Sequence, residues 1–225
     1  MTPAANTAAP GVAIFDLDGT LSRRDTLMPF LLGYVGRRPR RWWRLALAPL
    51  AFAEYLVLHR DRGRFKSRLI RIAMGGDRRE AVGRWADDYV RSLCSRGAFR
   101  AQALGRLARH REAGELLILL SASPDLYVPR IGAALGFAQT ICTEILWRGD
   151  RLDGALVNSN CRGAEKLHRL ESLRRAFPGR RFIAYGNARS DLVHLRRADH
   201  GVLVNAGRKA RRAARAQGIA VDDWH

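Results

Sequence analysis

Four short stretches of the chain are apolar along their length and end abruptly in polar, turn-forming residues. Val12-Ala13-Ile14-Phe15 runs into Asp16-Leu17-Asp18-Gly19-Thr20. Leu116–Leu120 is closed by Ser121-Ala122-Ser123-Pro124, Phe182–Tyr185 by Gly186-Asn187, and Gly201–Val204 by Asn205. Alternation would mark a strand with one wet face. Unbroken apolar runs of this length mark strands covered on both faces, as in a parallel sheet. Helical periodicity fills the gaps: Phe99–Ala113 with Gly114 as its C-cap, Asp125–Leu135, and Glu165–Phe177 ahead of Pro178-Gly179. Ile141–Val157 reads as a hairpin turning at Arg148-Gly149-Asp150. Strands alternating with helices predict an α/β fold, a doubly wound, Rossmann-like parallel sheet whose ligands sit at the C-terminal strand ends.

Residues 25–95 break this rhythm. They show no strand pattern and read as an all-helical insertion, a cap, which leaves 1–24 and 96–225 as the core. Within the insertion Leu27–Val35 is apolar, Arg37-Arg38-Pro39-Arg40-Arg41 is a cationic block, and Trp42–Leu58 is apolar apart from Arg44, Pro49 and Glu54. That last run is marginal for a membrane span. Two readings stay open for it. Trp42, Trp43 and the aliphatics beside Arg37–Arg44 could meet an anionic membrane surface. Alternatively they form a buried helix packed on Ile70, Ile72 and Val82, with the arginines simply solvated.

The 225 residues carry a formal charge of +19, and of the 40 Lys and Arg only Lys66, Lys166 and Lys209 are lysine. Such a balance suits a solvated basic surface, an anionic membrane, an acidic substrate or a nucleic acid, and composition does not choose among them. Nucleic-acid binding is not expected, because Trp42 and Trp43 are the sole aromatics interleaved with an arginine cluster and aliphatics follow them. The arginines of Arg208–Arg215 read as a solvated helix face. Cys94, Cys142 and Cys161 are odd in number and far apart, which excludes a disulfide framework and points to a reducing compartment. Met1–Gly11 lacks the cationic and apolar regions of a signal peptide, so a cytoplasmic protein is expected, peripheral on the inner membrane face if the cap makes the contact. The six histidines show no metal-ligand spacing; His194 reads as a surface residue or one just behind the site, and Trp224-His225 as a frayed end.

Asp16 and Asp18 carry the chemistry. Two residues apart at a strand end, they point the same way while Leu17 faces the core. Carboxylates so close repel unless a cation lies between them or one holds a proton. The first case suits a hard divalent ion, the second a general acid. Gly19 permits a sharp turn, and Thr20 adds a hydroxyl.

Asp16-Leu17-Asp18-Gly19-Thr20-Leu21 resembles the first motif of the haloacid dehalogenase superfamily of phosphohydrolases. Ser121, ending an aliphatic run, resembles the second. Lys166 within Cys161-Arg162-Gly163-Ala164-Glu165-Lys166 resembles the third, and Gly186-Asn187-Ala188-Arg189-Ser190-Asp191 the acidic fourth. The resemblance covers residues 12 to 205. It implies that Asp16 attacks phosphorus to form an aspartyl-phosphate, and that Asp18 acts as general acid and then base. It further implies that Mg²⁺ is held by Asp16, Asp18, Asn187 and Asp191, and that Thr20, Ser121, Ala122 and Lys166 bind the phosphoryl group. Lys166 is conspicuous in a chain that uses Arg almost everywhere, and a compact ammonium suits a crowded site better than a guanidinium. Asn187 departs from the family pattern, where a carboxylate is usual, and implies weaker Mg²⁺ binding.

An insertion directly after the first motif resembles the subfamily that contains phosphoserine phosphatase. Asp25, nine residues after Asp16, could bind a substrate amino group or cap the helix starting at Thr26; the cap is the favoured reading. Arg68 and Arg71 are unconvincing counterparts of a serine-binding arginine. A closer resemblance is to a group that includes phosphatidylglycerophosphatase C and related bacterial cell-cycle phosphatases. It is carried by Pro29-Phe30-Leu31-Leu32 with the following Arg-Arg-Pro and aliphatic stretch, by Asn160–Leu167, and by Val204-Asn205 with its basic tail. A phosphorylated small molecule or lipid is therefore the expected substrate. Oligomeric state is not legible.

Overall fold

In the structure, a computed structural model that describes residues 10–57 and 61–225, β1 (Val12–Phe15) is the central strand and is buried at all four positions. It pairs in parallel with β2 (Leu116–Pro124) on one side and with β6 (Phe182–Gly186) on the other. Outward from these lie β3 (Gln139–Thr143), β7 (His200–Val204) and β8 (Ala220–Asp222), giving the order β3-β2-β1-β6-β7-β8, all parallel. Successive β1 side chains enter different cores. Ala13 and Phe15 face one cluster, with Leu107, Val128 and Ile131; Val12 and Ile14 face the other, with Leu170, Leu195 and Ala214. Both faces being dry is the reason the run is unbroken rather than alternating.

Register places the chemistry. Phe15 lies opposite Leu119 and Tyr185, so Asp16, Ser121 and Asn187 leave the sheet at the same edge, where the strand order switches direction about β1. The face holding Phe15 is covered by α5 (Ala101–Glu112) and α6 (Val128–Ala134). The other is covered by α7 (Ala164–Ala176), α8 (Leu192–Leu195) and α9 (Arg208–Arg215).

Between β1 and α5 the described residues form α1 (Leu27–Gly36), a 3-10 segment (Pro39–Leu47), α2 (Ala48–Val57), α3 (Arg62–Met74) and α4 (Arg79–Ser95). Asp61 caps α3, accepting the Gly63 and Arg64 N–H groups at 2.8 and 3.1 Å. The hairpin of β4 (Ile145–Arg148) and β5 (Arg151–Leu156) is fastened to α3 and α4. Backbone bonds join Gly76 N–H to Leu152 O, Leu152 N–H to Asp77 O and Arg79 N–H to Asp150 O, at 2.8–2.9 Å. Gly154, at φ +89°, lets the α3 backbone approach so closely that an added Cβ would sit 3.1 Å from the Arg71 Cα. Among the described residues no helix is long and apolar enough to cross a membrane.

Two expectations are corrected. Ile141–Thr143 belongs to β3 in the parallel sheet, so the hairpin is shorter than residues 141–157. β3 is an edge strand, half exposed, and lacks the continuous apolar run that betrayed the inner strands. The chain end is not frayed at Trp224, whose ring is buried 5.2 Å from that of Tyr185. Its N–H donates to Asn205 Oδ1 at 2.7 Å, and its carbonyl accepts Arg100 Nη1 at 2.7 Å. The leader Met1–Ala9 and Leu58–Arg60 lie outside the described residues. Trp224→Ala is expected to destabilise the fold by about 3 kcal/mol or more, as buried Trp truncations do. Chemical unfolding checks this, since a loose terminus would leave the midpoint unchanged.

Candidate active site

At the end of β1 the Asp16 N–H completes the sheet by donating to Tyr185 O at 3.0 Å, and the side chain turns into a cleft of about 170 Å³. Its carboxylate is held on both oxygens. Thr20 Oγ1 donates to Oδ2 at 3.0 Å, and Lys166 Nζ donates to Oδ1 at 2.6 Å. Lys166, fully buried in the first turn of α7, also donates to Asp191 Oδ1 at 3.0 Å. Asp191 in turn receives the N–H groups of Asn187 and Ala188 on Oδ2, at 3.2 and 2.9 Å. One ammonium thus bridges two carboxylates from different loops.

The electrostatics follow. Burial works against charge on Lys166, but Asp16 and Asp191 outweigh it and hold the ammonium above its ordinary range. Burial lifts the Asp16 carboxyl to about 6; Lys166 opposes the rise, and Asp191 and Asp18 add to it. Burial would lift Asp191 as well, but Lys166 and the Ala188 N–H bond bring it below the usual carboxylate range. At neutral pH both carboxylates are ionised.

Asp18 lines the same cleft while Leu17 is buried in the core, as the period-two reading requires. Its Oδ1 accepts the Thr26 N–H at 2.7 Å and hydroxyl at 2.6 Å; its Oδ2 accepts the Ser123 hydroxyl at 2.6 Å. The Thr26 hydroxyl also meets Tyr127 OH at 2.9 Å, and Tyr89 OH donates to Thr26 O at 2.7 Å. Burial raises the Asp18 pKa against these hydrogen bonds, which favours a carboxyl that can hold a proton. Gly19 makes the turn at φ +80° and has no room for a side chain, since an added Cβ would lie 1.9 Å from Asn187 Nδ2.

Asp16, Asp18, Ala122, Lys166 and Asp191 come together on the cleft wall. Thr20 and Ser121 are buried behind it, Thr20 bonding Asp16 and Ser121 Oγ accepting the Ser123 N–H at 3.0 Å. Asn187 is half-buried beside Gly19. Asp25 accepts the Met28 N–H at 2.9 Å, the helix-capping role favoured for it, and also lines the cleft. Arg68 and Arg71 do not line the cleft; Arg71 pairs with Asp153 at 2.7 Å.

Sequence reasoning missed Lys66. It reaches the cleft from α3 and is buried, its Nζ donating to Ala122 O and to Asn160 Oδ1, the latter at 2.6 Å; burial lowers its pKa to about 8. The signal was present, since Lys66 is one of three lysines in an arginine-rich chain. Arg62 and Arg162 line the cleft with it.

His194 is not a surface residue. It is buried on α8, its Nδ1 has no hydrogen-bond partner, and burial drives its pKa down to about 3. Folded, it is neutral; unfolded, it protonates below about pH 6.5. Its contribution to stability is therefore lost as pH falls through that range. Removing it should change the pH slope by about 1.4 kcal/mol per pH unit between pH 6 and 4. The stability of His194→Leu relative to the parent is expected to rise by that amount toward low pH, measured by urea unfolding at several pH values. A pH-independent difference would contradict a neutral buried imidazole.

Comparison with known proteins agrees with this geometry. The family model for haloacid dehalogenase-like hydrolases matches residues 13–196. Protein CicA of Caulobacter vibrioides is 31% identical over 196 residues, 84% of each chain. A probable phosphatase of Mycobacterium tuberculosis is 26% identical over 97% of this chain and 76% of its own. In fold, a protein of unknown function from Bordetella pertussis Tohama I superposes with a TM-score of 0.80 at 20% identity, covering 96% of this chain and 99% of that one. A phosphoserine phosphatase solved as a phospho-aspartyl intermediate analogue gives 0.65 at 13% identity, over 95% and 92%. Paired aspartates at the end of β1, a lysine from α7 that bridges to Asp191, and a family match over most of the chain converge: the protein belongs to the haloacid dehalogenase-like hydrolases.

Proposed function

We propose that the protein is a Mg²⁺-dependent phosphomonoesterase working through an aspartyl-phosphate on Asp16. The observation that carries this reading is the Asp16 carboxylate gripped by Thr20 and Lys166, with Asp18 fixed beside it by Thr26 and Ser123. Lys166 remains an ammonium and draws the anionic phosphoryl group toward Asp16. An Asp16 oxygen bonds to phosphorus as the ester bond breaks, and the leaving alkoxide takes the proton held by Asp18. Water then attacks the phosphorus, gives its proton to Asp18, and releases Asp16 and phosphate. Ser121 accepts the Ser123 N–H and keeps its own proton to donate, which suits a phosphate-binding hydroxyl.

The donor set fits Mg²⁺. Among the described residues no three His, Cys, Asp or Glu side chains gather as a metal cluster. A site here therefore draws on two carboxylates, an amide and a backbone carbonyl, all hard oxygen donors. Burial raises the Asp16 pKa, and Asp191 and Asp18 add to the rise against Lys166; a bound cation would oppose that rise. Asp16, the Asp18 carbonyl, Asn187 and Asp191 would hold the ion. Once bound, it would neutralise charge on the phosphoryl oxygens.

For the substrate we favour a lipid phosphate such as phosphatidylglycerophosphate over phosphoserine. Arg68 and Arg71 lie outside the cleft, and Asp25, which lines it, already accepts the Met28 N–H of α1, so the groups proposed to read an amino acid are not assembled around the substrate. Phosphate release from a panel containing both compounds, the lipid in detergent, tests the choice; preference for phosphoserine would reverse it.

Two variants test the chemistry. Asp16→Asn is expected to lower turnover of any accepted monoester by about a thousandfold or more, and near-normal turnover would remove Asp16 as nucleophile. Asn187→Asp restores a negative charge and should lower the Mg²⁺ concentration for half-maximal rate roughly tenfold. An unchanged Mg²⁺ dependence would show that the amide is not a ligand.

A further inference from the structure

Most of the exposed apolar surface is carried by the inserted helices. Of eleven large hydrophobic side chains exposed among the described residues, eight fall between Met28 and Leu56, led by Trp43 at 64% and Leu50 at 60% exposure. The reading that buried this stretch on Ile70, Ile72 and Val82 is not met: Leu47, Phe52 and Leu56 are exposed as well, and among the described side chains of α2 only Ala51 is buried. Exposed apolar side chains gathered this densely are uncommon on a protein surface that has nothing to meet.

Beside them lies a groove of about 590 Å³ between the 3-10 segment, α2, α3 and the hairpin. Trp43, Leu47, Leu50 and Leu152 give it an apolar lining, and Arg44, Arg68, Arg71, Arg148 and Arg151 a cationic one. The single acid in the lining is Asp153, already engaged by Arg71 at 2.7 Å and Arg148 at 2.6 Å. Arg44 and Arg151 rest on the backbone carbonyls of Gly75 and Gly76. The Arg44 guanidinium also lies 5.6 Å from the Trp43 ring centre. The flanking sequence strengthens the bias, since five arginines and no acid occur between Asp25 and Glu54.

This combination selects its partner. A second copy docking through the same face would set arginines against arginines about the symmetry axis. A nucleic acid would satisfy the arginines but leave Leu47, Leu50 and Phe52 in water. An anionic bilayer satisfies both: phosphates for the guanidiniums, the interfacial layer for the indoles, and the acyl boundary for the aliphatics. The 10-residue α2 is about 15 Å long, half of a hydrocarbon core, so the contact lies along the surface and does not span it.

We propose that the exposed side chains of residues 42–56 and the adjoining arginine groove dock the protein peripherally on an anionic lipid bilayer. The groove and the cleft share α3: Arg68 and Arg71 turn to one, Arg62 and Lys66 to the other. Docking therefore holds the cleft about one helix diameter, roughly 10 Å, from the headgroup layer. The inference stands apart from the catalytic reading, because Asp16→Asn should dock as the parent does.

The test is flotation of the full chain with vesicles of phosphatidylcholine alone or with about 30 mol% phosphatidylglycerol. Binding is expected only to the anionic vesicles and should weaken at least tenfold at about 0.5 M salt. Trp43→Ser and Arg44→Glu should each weaken it at least fivefold while turnover of a soluble phosphomonoester stays normal; Leu50→Ser and Arg44→Gln serve if either variant loses that turnover. Absence of binding by the parent overturns the proposal. So does full competition by glycerol phosphate, which would make the groove a site for free anions. Unchanged binding by the Trp43 variant, or its conversion of an oligomer to a monomer in sedimentation velocity with vesicle binding intact, overturns it too.

Discussion

A single buried ammonium ties the site together. Lys166 reaches Asp16, 150 residues away in sequence, and Asp191, 25 residues away, and both bonds are buried. Taking such charges out of water costs several kcal/mol per ion, recovered only when all the partners are in place. The end of β1, the first turn of α7 and the turn after β6 must therefore arrive together. The same requirement underlies the proposed chemistry: a lysine whose charge favours the ionised form of two carboxylates in a dry pocket is also the group proposed to meet a dianionic phosphoryl group.

The sheet makes that meeting possible. Parallel pairing of β1 with β2 and β6 in a common register delivers Asp16, Ser121 and Asn187 to one edge. Helices on both faces keep water away from the strands behind them. Opposite that edge, α3 closes the cleft with Lys66, whose charge is answered by the neutral oxygens of Ala122 and Asn160. Asp18 sits at the junction, bonded to Thr26 at the start of the inserted helices and to Ser123 at the end of β2. The carboxyl proposed to transfer the proton is thus set by both sides of the cleft.

How legible each part was in the sequence depended on burial. β1, β2, β6 and β7 announce themselves because dryness on both faces demands unbroken apolar runs. β3 and β8 lie at the sheet edges, half exposed and short, and a period-two signal of three to five residues is easily lost. Asp16 and Asp18 were legible from spacing, and Lys166 from its rarity among arginines. Lys66 shared that rarity, but the contact with Ala122 that reveals its role spans 56 residues. Trp224 was misread, and the surface alternative for His194 failed while the place just behind the site held, for one reason: their burial is decided by tertiary neighbours, and nothing local in the sequence reports it. The charge of +19 resolves in the same way. Lys166 and Lys66 belong to the cleft, while the arginines around Trp43 belong to a separate face.

The proposed activity rests on Asp16 acting as a nucleophile, and not merely as an anion held beside Lys166. The most direct measurement is rapid mixing of enzyme with an accepted phosphomonoester, acid quench, and mass-spectrometric mapping of the phosphorylated residue. A phosphoryl group on Asp16, absent from Asp16→Asn and accumulating in Asp18→Asn, is the expected result. Phosphate on another residue, or turnover by Asp16→Asn at the parent rate, would contradict it.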